Sequence, residues 1–112
     1  MKKFAIPVAE GKLSQHFGHC EHFFFIKVDN NNEIIDDEII TPPEHAPGSY
    51  PNWLADNKVT DLIAGGLGQK AIDILNDRDI NVFVGAPIKT PITLVTEFLN
   101  GTIETKANMC DH

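Results

Sequence analysis

The chain reads as one α/β domain in which a mixed β-sheet carries helices on its faces. Three observations predict this class. The first forty residues alternate apolar or aromatic runs with turn clusters, as strands do. The second half alternates strand-like apolar runs with segments of helical periodicity. At 112 residues the chain has room for one core, and its 42% hydrophobic and 22% charged composition is that of a globular protein rather than a disordered one.

Lys3 to Val8 is the first predicted strand, followed by a polar loop from Ala9 to Gly18. Phe23 to Val28, aromatic and β-branched, is the second strand. The cluster Asp29-Asn30-Asn31-Asn32 turns the chain back into a third strand, Glu33 to Ile40, so these two should be antiparallel neighbours. Thr41 to Pro51 holds four of the seven prolines and crosses to a new layer. A short helix is expected over Tyr50 to Asn57, then a strand over Val59 to Ala64.

Ala71, Ile72 and Leu75 recur at helical spacing in Gln69 to Asn76, and Ile80 to Val84 is the last strand. A final helix opens at Thr90-Pro91, where proline suits the first turn, and closes at Asn100-Gly101. The order is β-β-β-α-β-α-β-α. A β-α-β crossover makes the later strands parallel. One domain is expected over residues 1–101, with 102–112 as a C-terminal tail.

Net charge of -7 with only nine Lys and Arg argues against nucleic-acid binding, which needs a basic face. The apolar run Phe4 to Ala9 is too short for a signal peptide, contains Pro7 and stops at Glu10, and no segment is long enough to span a bilayer. A cytoplasmic location is therefore expected, where both cysteines stay reduced.

Chemistry is concentrated in His16-Phe17-Gly18-His19-Cys20-Glu21-His22, in which four residues able to bind a transition metal fall within seven positions. Cys110-Asp111-His112 adds a second thiol and another imidazole. The candidate metal ligands are thus His16, His19, Cys20, His22, Cys110 and His112. The spacing matches no zinc-finger template, since no C-x2-C is present, and the His19-x-Glu21 run lacks the P-C-x-x-C half of a zinc deaminase site. The competing reading makes the histidines turn residues and each cysteine a small buried hydrophobe.

Gly65-Gly66-Leu67-Gly68-Gln69-Lys70-Ala71 lies between a predicted strand and helix and contains the G-x-G-x-x-A pattern. Backbone N–H groups there would face an anion at a helix N-terminus. A dinucleotide site also needs an acidic residue closing the next strand, which here ends Val84-Gly85-Ala86. An anion without a ribose is the better ligand; the alternative is a tight turn with no ligand.

His16-Phe17-Gly18 leading into an aromatic strand, the glycine turn, and Ile80-Asn81-Val82 before Gly85-Ala86 together resemble the dinitrogenase iron-molybdenum cofactor family over almost the whole chain. The resemblance implies a ribonuclease H-like fold with a mixed five-stranded sheet. It also implies a small non-catalytic carrier or scaffold for an iron-molybdenum cofactor precursor or another metal-sulfur cluster, with donor and acceptor proteins as partners and a possible homodimer. The family's loop histidine and glycine fall on His16 and Gly18, and its glycine turn on the cofactor-binding candidates Gly65, Gly66 and Gly68. Nuclease chemistry on such a fold needs several carboxylates, which Asp61 and Asp73 alone do not supply. A thiol-redox sensor pairing Cys20 with Cys110, or a small-anion-binding interaction module, is the alternative without metal.

Overall fold

The computed structural model describes residues 1–44, 48–103 and 105. Its elements are β1 (Lys2–Ala9), β2 (Lys12–Leu13), a 3-10 turn (Phe17–His19), β3 (His22–Val28), β4 (Ile34–Ile40), α1 (Ser49–Asp56), β5 (Asp61–Ile63), α2 (Gln69–Asp77), β6 (Asn81–Phe83) and α3 (Pro91–Asn100). The sheet runs β4-β3-β1-β5-β6. β1 is antiparallel to β3 and parallel to β5, while β3 and β4 form the expected hairpin. The mixed sheet and three helices match the sequence reading.

The strand count does not. A sixth strand, Lys12–Leu13, pairs antiparallel with β1 inside the segment read as a polar loop. Two residues are too few to show a period. Glu10 (φ 55°) and Gly11 (φ 80°) supply the left-handed backbone that turns the chain back so tightly.

β1 is the central strand, and Phe4 to Val8 is buried or nearly so throughout. A strand buried on both faces needs a core on each, and two clusters form. One face gathers Phe23, Phe25, Leu54, Leu62 and Leu75 under α1 and α2. The other gathers Phe4, Ile6, Ile26, Leu94 and Val95 under α3. β3 feeds both by strict alternation, Phe23 and Phe25 to the first and Ile26 and Val28 to the second.

β1 and β5 pair only through Phe4↔Asp61 and Ala5↔Leu62. Beyond that point Pro7 has no N–H to offer, and its carbonyl accepts from the Ser14 N–H at 2.8 Å. The returning loop thus takes the place of β5 beside β1. This substitution opens the carboxyl edge of the sheet.

The last helix ends on Gly101 in a left-handed C-cap (φ 75°). The packed body continues slightly further, because the Thr102 and Ile103 N–H groups both donate to the Glu97 carbonyl and Ile103 packs against the second core. Residue 104 and residues 106–112 lie outside the described residues.

Phe23 has no exposed surface and its ring meets those of Phe17, Tyr50 and Trp53 at centroid distances of 5.6, 5.6 and 5.4 Å. Phe23→Ala is expected to cost about 3–5 kcal/mol, read as a lowered urea midpoint with an unchanged denaturant slope.

Candidate functional site

A cleft of about 340 Å³ opens at the carboxyl edge, between the loop that follows β2 and the turn that leads into α2. His16, Phe17, Gly18 and His19 form one wall, and Gly66, Leu67, Gly68 and Ala71 the other. The walls are joined by backbone. His16 makes an isolated parallel bridge to Gly66, and the Gly66 N–H donates to the Gln15 carbonyl at 3.4 Å.

Local chemistry fixes the histidine wall. The Ser14 hydroxyl, only 7% exposed, accepts from the His16 N–H and lies 3.2 Å from both that N–H and the His16 carbonyl. Ser14 therefore acts as a turn-forming side chain in place of a regular ladder. The His19 N–H donates to the His16 carbonyl at 3.0 Å, closing a single 3-10 turn. Side chains three apart eclipse in that geometry, so the two exposed imidazoles lie on one side, with ring centroids 6.5 Å apart. Phe17, between them in sequence, points inward and anchors the turn against Phe23 and Tyr50.

The glycine turn is held as tightly. The Gly65 carbonyl accepts from the Gly85 N–H at 2.6 Å, and the Ala86 N–H donates to the Ala64 carbonyl at 3.2 Å. Gly85-Ala86 thus braces the glycine turn from outside; neither residue lines the cleft. A Cβ on Gly65 would come within 3.3 Å of the Gln15 Cα, so this glycine permits the close approach of the two walls. Gly68 has ordinary extended backbone (φ -70°, ψ 153°) at the N-cap of α2, and a Cβ there would meet nothing within 4 Å. α2 has no side-chain cap on its first turn, and Gly68 and Ala71 at that end line the cleft.

The four proposed metal ligands among the described residues do not share one site. His16 and His19 are together on the cleft wall. Cys20 is 8% exposed and belongs to the first core, beside the cleft but not in its lining. Burial pushes its thiol up to about 11. At neutral pH it is a protonated hydrophobe rather than a thiolate donor. Tyr50 is also shifted up, first by burial and then by the neighbouring Cys20.

His22 begins β3 opposite Val8, away from the cleft lining, with its Nδ1 3.4 Å from the Thr41 hydroxyl. Cys110 and His112 lie outside the described residues. Among the described residues, no three His, Cys, Asp or Glu side chains converge on one metal-sized point. Asp61 sits at the opposite, amino end of β5, accepting from the Thr60 hydroxyl at 2.7 Å and from the Asn81 amide at 3.1 Å. Asp73 is exposed and accepts from Gln69.

Residues that sequence reasoning missed are Ser14, Gln15, Phe17 and Leu67. The serine two residues before His16 is a recognisable turn signal; nothing in sequence marks Gln15 as the residue that meets Gly65. A second hollow of about 330 Å³, lined by Glu10, Lys12, Leu13, Ser14 and Ile88, adjoins the first along Gln15 and His16. His16 therefore stands on the ridge between two depressions.

The family model described as dinitrogenase iron-molybdenum cofactor matches residues 1–101. An uncharacterized protein of Methanocaldococcus jannaschii is 28% identical, over 93% of this chain and 91% of that protein. Among solved structures, PH0822 superposes with a TM-score of 0.83 at 24% identity, over 94% of this chain and 96% of that one. The apo form of the orange protein from Desulfovibrio gigas superposes with a TM-score of 0.74 at 24% identity, over 96% of this chain and 95% of that one. At these identities the structural likeness establishes a shared fold.

Two outcomes test the site's construction. Gly65→Ala should disturb the His16 loop, seen as changed amide shifts at Gln15 and His16 and a stability loss of about 1–3 kcal/mol. Gly68→Ala should leave both within error. For Cys20, the folded thiol ionises at higher pH than the unfolded one, so the unfolded state gains charge first as pH rises. Stability should therefore fall between about pH 9 and 11, and the fall should be smaller in Cys20→Ala, by on the order of 2 kcal/mol. Equal pH slopes in urea titrations of the two proteins would contradict the burial argument.

Proposed function

This chain belongs to the dinitrogenase iron-molybdenum cofactor family, and from that premise we propose that it is a small non-catalytic carrier of an iron-molybdenum precursor or related metal-sulfur cluster. One observation carries the reading: two imidazoles, three residues apart on one 3-10 turn, stand across a cleft from a glycine turn that leads into an uncapped helix N-terminus. Such a cleft offers neutral nitrogen donors to metal on one side and backbone N–H donors to sulfide or oxide on the other.

The donor set suits a passing cargo. Two protein ligands leave most positions of a metal open, so a cluster could arrive assembled and leave intact. Phe17, Leu67 and Ala71 supply apolar wall that would exclude water from its buried side. His16 and His19 are assigned as ligands, with Gly68 and the first turn of α2 presenting backbone N–H groups, while the Gly66 N–H is held by the Gln15 carbonyl. Cys20 is assigned to the core, and His22, off the cleft, to no contact with cargo. Donor and acceptor metallocluster proteins are the partners this role requires.

The thiol-redox alternative is disfavoured by the burial of Cys20 and its raised pKa. The ribonuclease H-like assignment is supported by a β4-β3-β1 antiparallel meander on one side of the central strand and two short parallel strands on the other. No described helix is long and apolar enough to cross a membrane.

Anaerobic reconstitution with iron, molybdate and sulfide should give a coloured protein with metal and sulfide in fixed ratio. The double change His16→Ala with His19→Ala should lower the retained metal at least about tenfold, while Cys20→Ala should load as the parent does. Full loading of the double variant would remove the histidine wall from the model.

A further inference from the structure

We propose that the outer edge of β4 is a docking site for an extended, basic segment of a partner protein, which adds to the sheet as a further strand. The proposal stands independently of the identity of the cargo. β4 is an end strand, and among the described residues no segment pairs with its outer edge. It offers about 23 Å of strand, seven residues at roughly 3.3 Å each. The opposite edge of the sheet, β6, has only three residues.

Two further features distinguish this edge. Ile35 and Ile39 are 51% and 65% exposed, unusual for isoleucines on a sheet whose other aliphatic strand residues are mostly buried. Between them lie Asp36, Asp37 and Glu38, all exposed. The sequence on either side of them is acidic as well. Residues 28–57 contain seven carboxylates and no Lys or Arg, and the other nine acidic residues are equalled in number by the nine Lys and Arg of the chain. The whole net charge of -7 thus resides in β4 and the segments flanking it.

Some of that charge is already answered. Lys27 stands opposite Asp36 in the β3–β4 ladder, Lys3 lies over Phe25, the cross-strand neighbour of Glu38, and feels that carboxylate's charge, and Asp56 on α1 is paired with Arg78 at 3.0 Å. Asp37 alternates to the other face, with Ile39, where its cross-strand neighbour is Ile26. An incoming strand that alternates Lys or Arg on the face of Asp36 and Glu38 with apolar residues on the face of Ile35 and Ile39 would satisfy both charge and burial. A second copy of β4 would not, because its own three acids would meet these. The carboxyl end of β4 lies at the same sheet edge as the cleft, since Ile40 pairs with Phe23 and His22 pairs with Val8. A docked strand would stand about 14 Å from the end of β1, three strand spacings away.

The test uses the full chain and two synthetic ten-residue peptides of equal charge. One alternates Lys with Val; the other carries the same lysines with prolines in place of alternate valines, so it cannot join a sheet. The alternating peptide should bind at least tenfold more tightly, weaken with added salt, and slow hydrogen exchange at the β4 amides. Replacing Asp36, Asp37 and Glu38 by Asn, Asn and Gln should reduce its affinity tenfold or more without lowering Tm. Equal binding of the two peptides, or unchanged exchange in β4, would overturn the proposal and leave the acids as protection against aggregation. A concentration-dependent dimer that protects β4 without peptide would overturn it in favour of a second copy.

Discussion

The structure turns on what Pro7 cannot do. A proline in the central strand of a sheet removes one ladder donor, a defect normally confined to edges and bulges. Here β5 leaves β1 after Ala5, and the only group Pro7 still offers, its carbonyl, is taken by the Ser14 N–H. The chain that has just left the sheet therefore re-enters it between β1 and the β5 exit. Everything at the carboxyl edge follows from this exchange of partners. Ser14 is seated, His16 is bridged to Gly66, and the two walls of the cleft are tied at their base.

Packing then decides which of the reactive side chains can act. The 3-10 turn sends Phe17 inward to an edge-to-face cluster with Phe23 and Tyr50, and that anchor turns His16 and His19 outward. The next residue in the same run, Cys20, falls on the inner side and joins the core. Four positions within five residues thus divide between surface and core because one aromatic ring must be buried. Desolvation alone explains why the thiol is held protonated.

In the proposed carrier role, the two sides of the molecule would divide the work. The cleft lining holds no Asp, Glu, Lys or Arg, while the excess of carboxylates lies in β4 and the segments flanking it. An anionic cargo would be held by local dipoles and imidazoles, which do not need a favourable net field. Long-range attraction would be left to the acidic edge, where the proposed basic partner would be steered at distances set by the Debye length.

The order of strands and helices was legible in the residues, because period-2 and period-3.6 burial leave their mark on any sufficiently long element. Phe23-to-Val28, the Asp29-to-Asn32 turn, and the Pro91 and Gly101 ends of the last helix needed no tertiary information. Family membership was legible too, since glycines and histidines at fixed places are local facts. The two-residue β2 was not, being shorter than any period, and neither was the special role of Gly65 compared with Gly68. A glycine that admits a neighbouring backbone and one that merely starts a helix look alike until Gln15 is seen against the first. Clustering in sequence placed His16, His19, Cys20 and His22 in one candidate site, and only the fold separated them. Adjacent residues share a neighbourhood but not a direction, and direction is set by which side chain the core must bury.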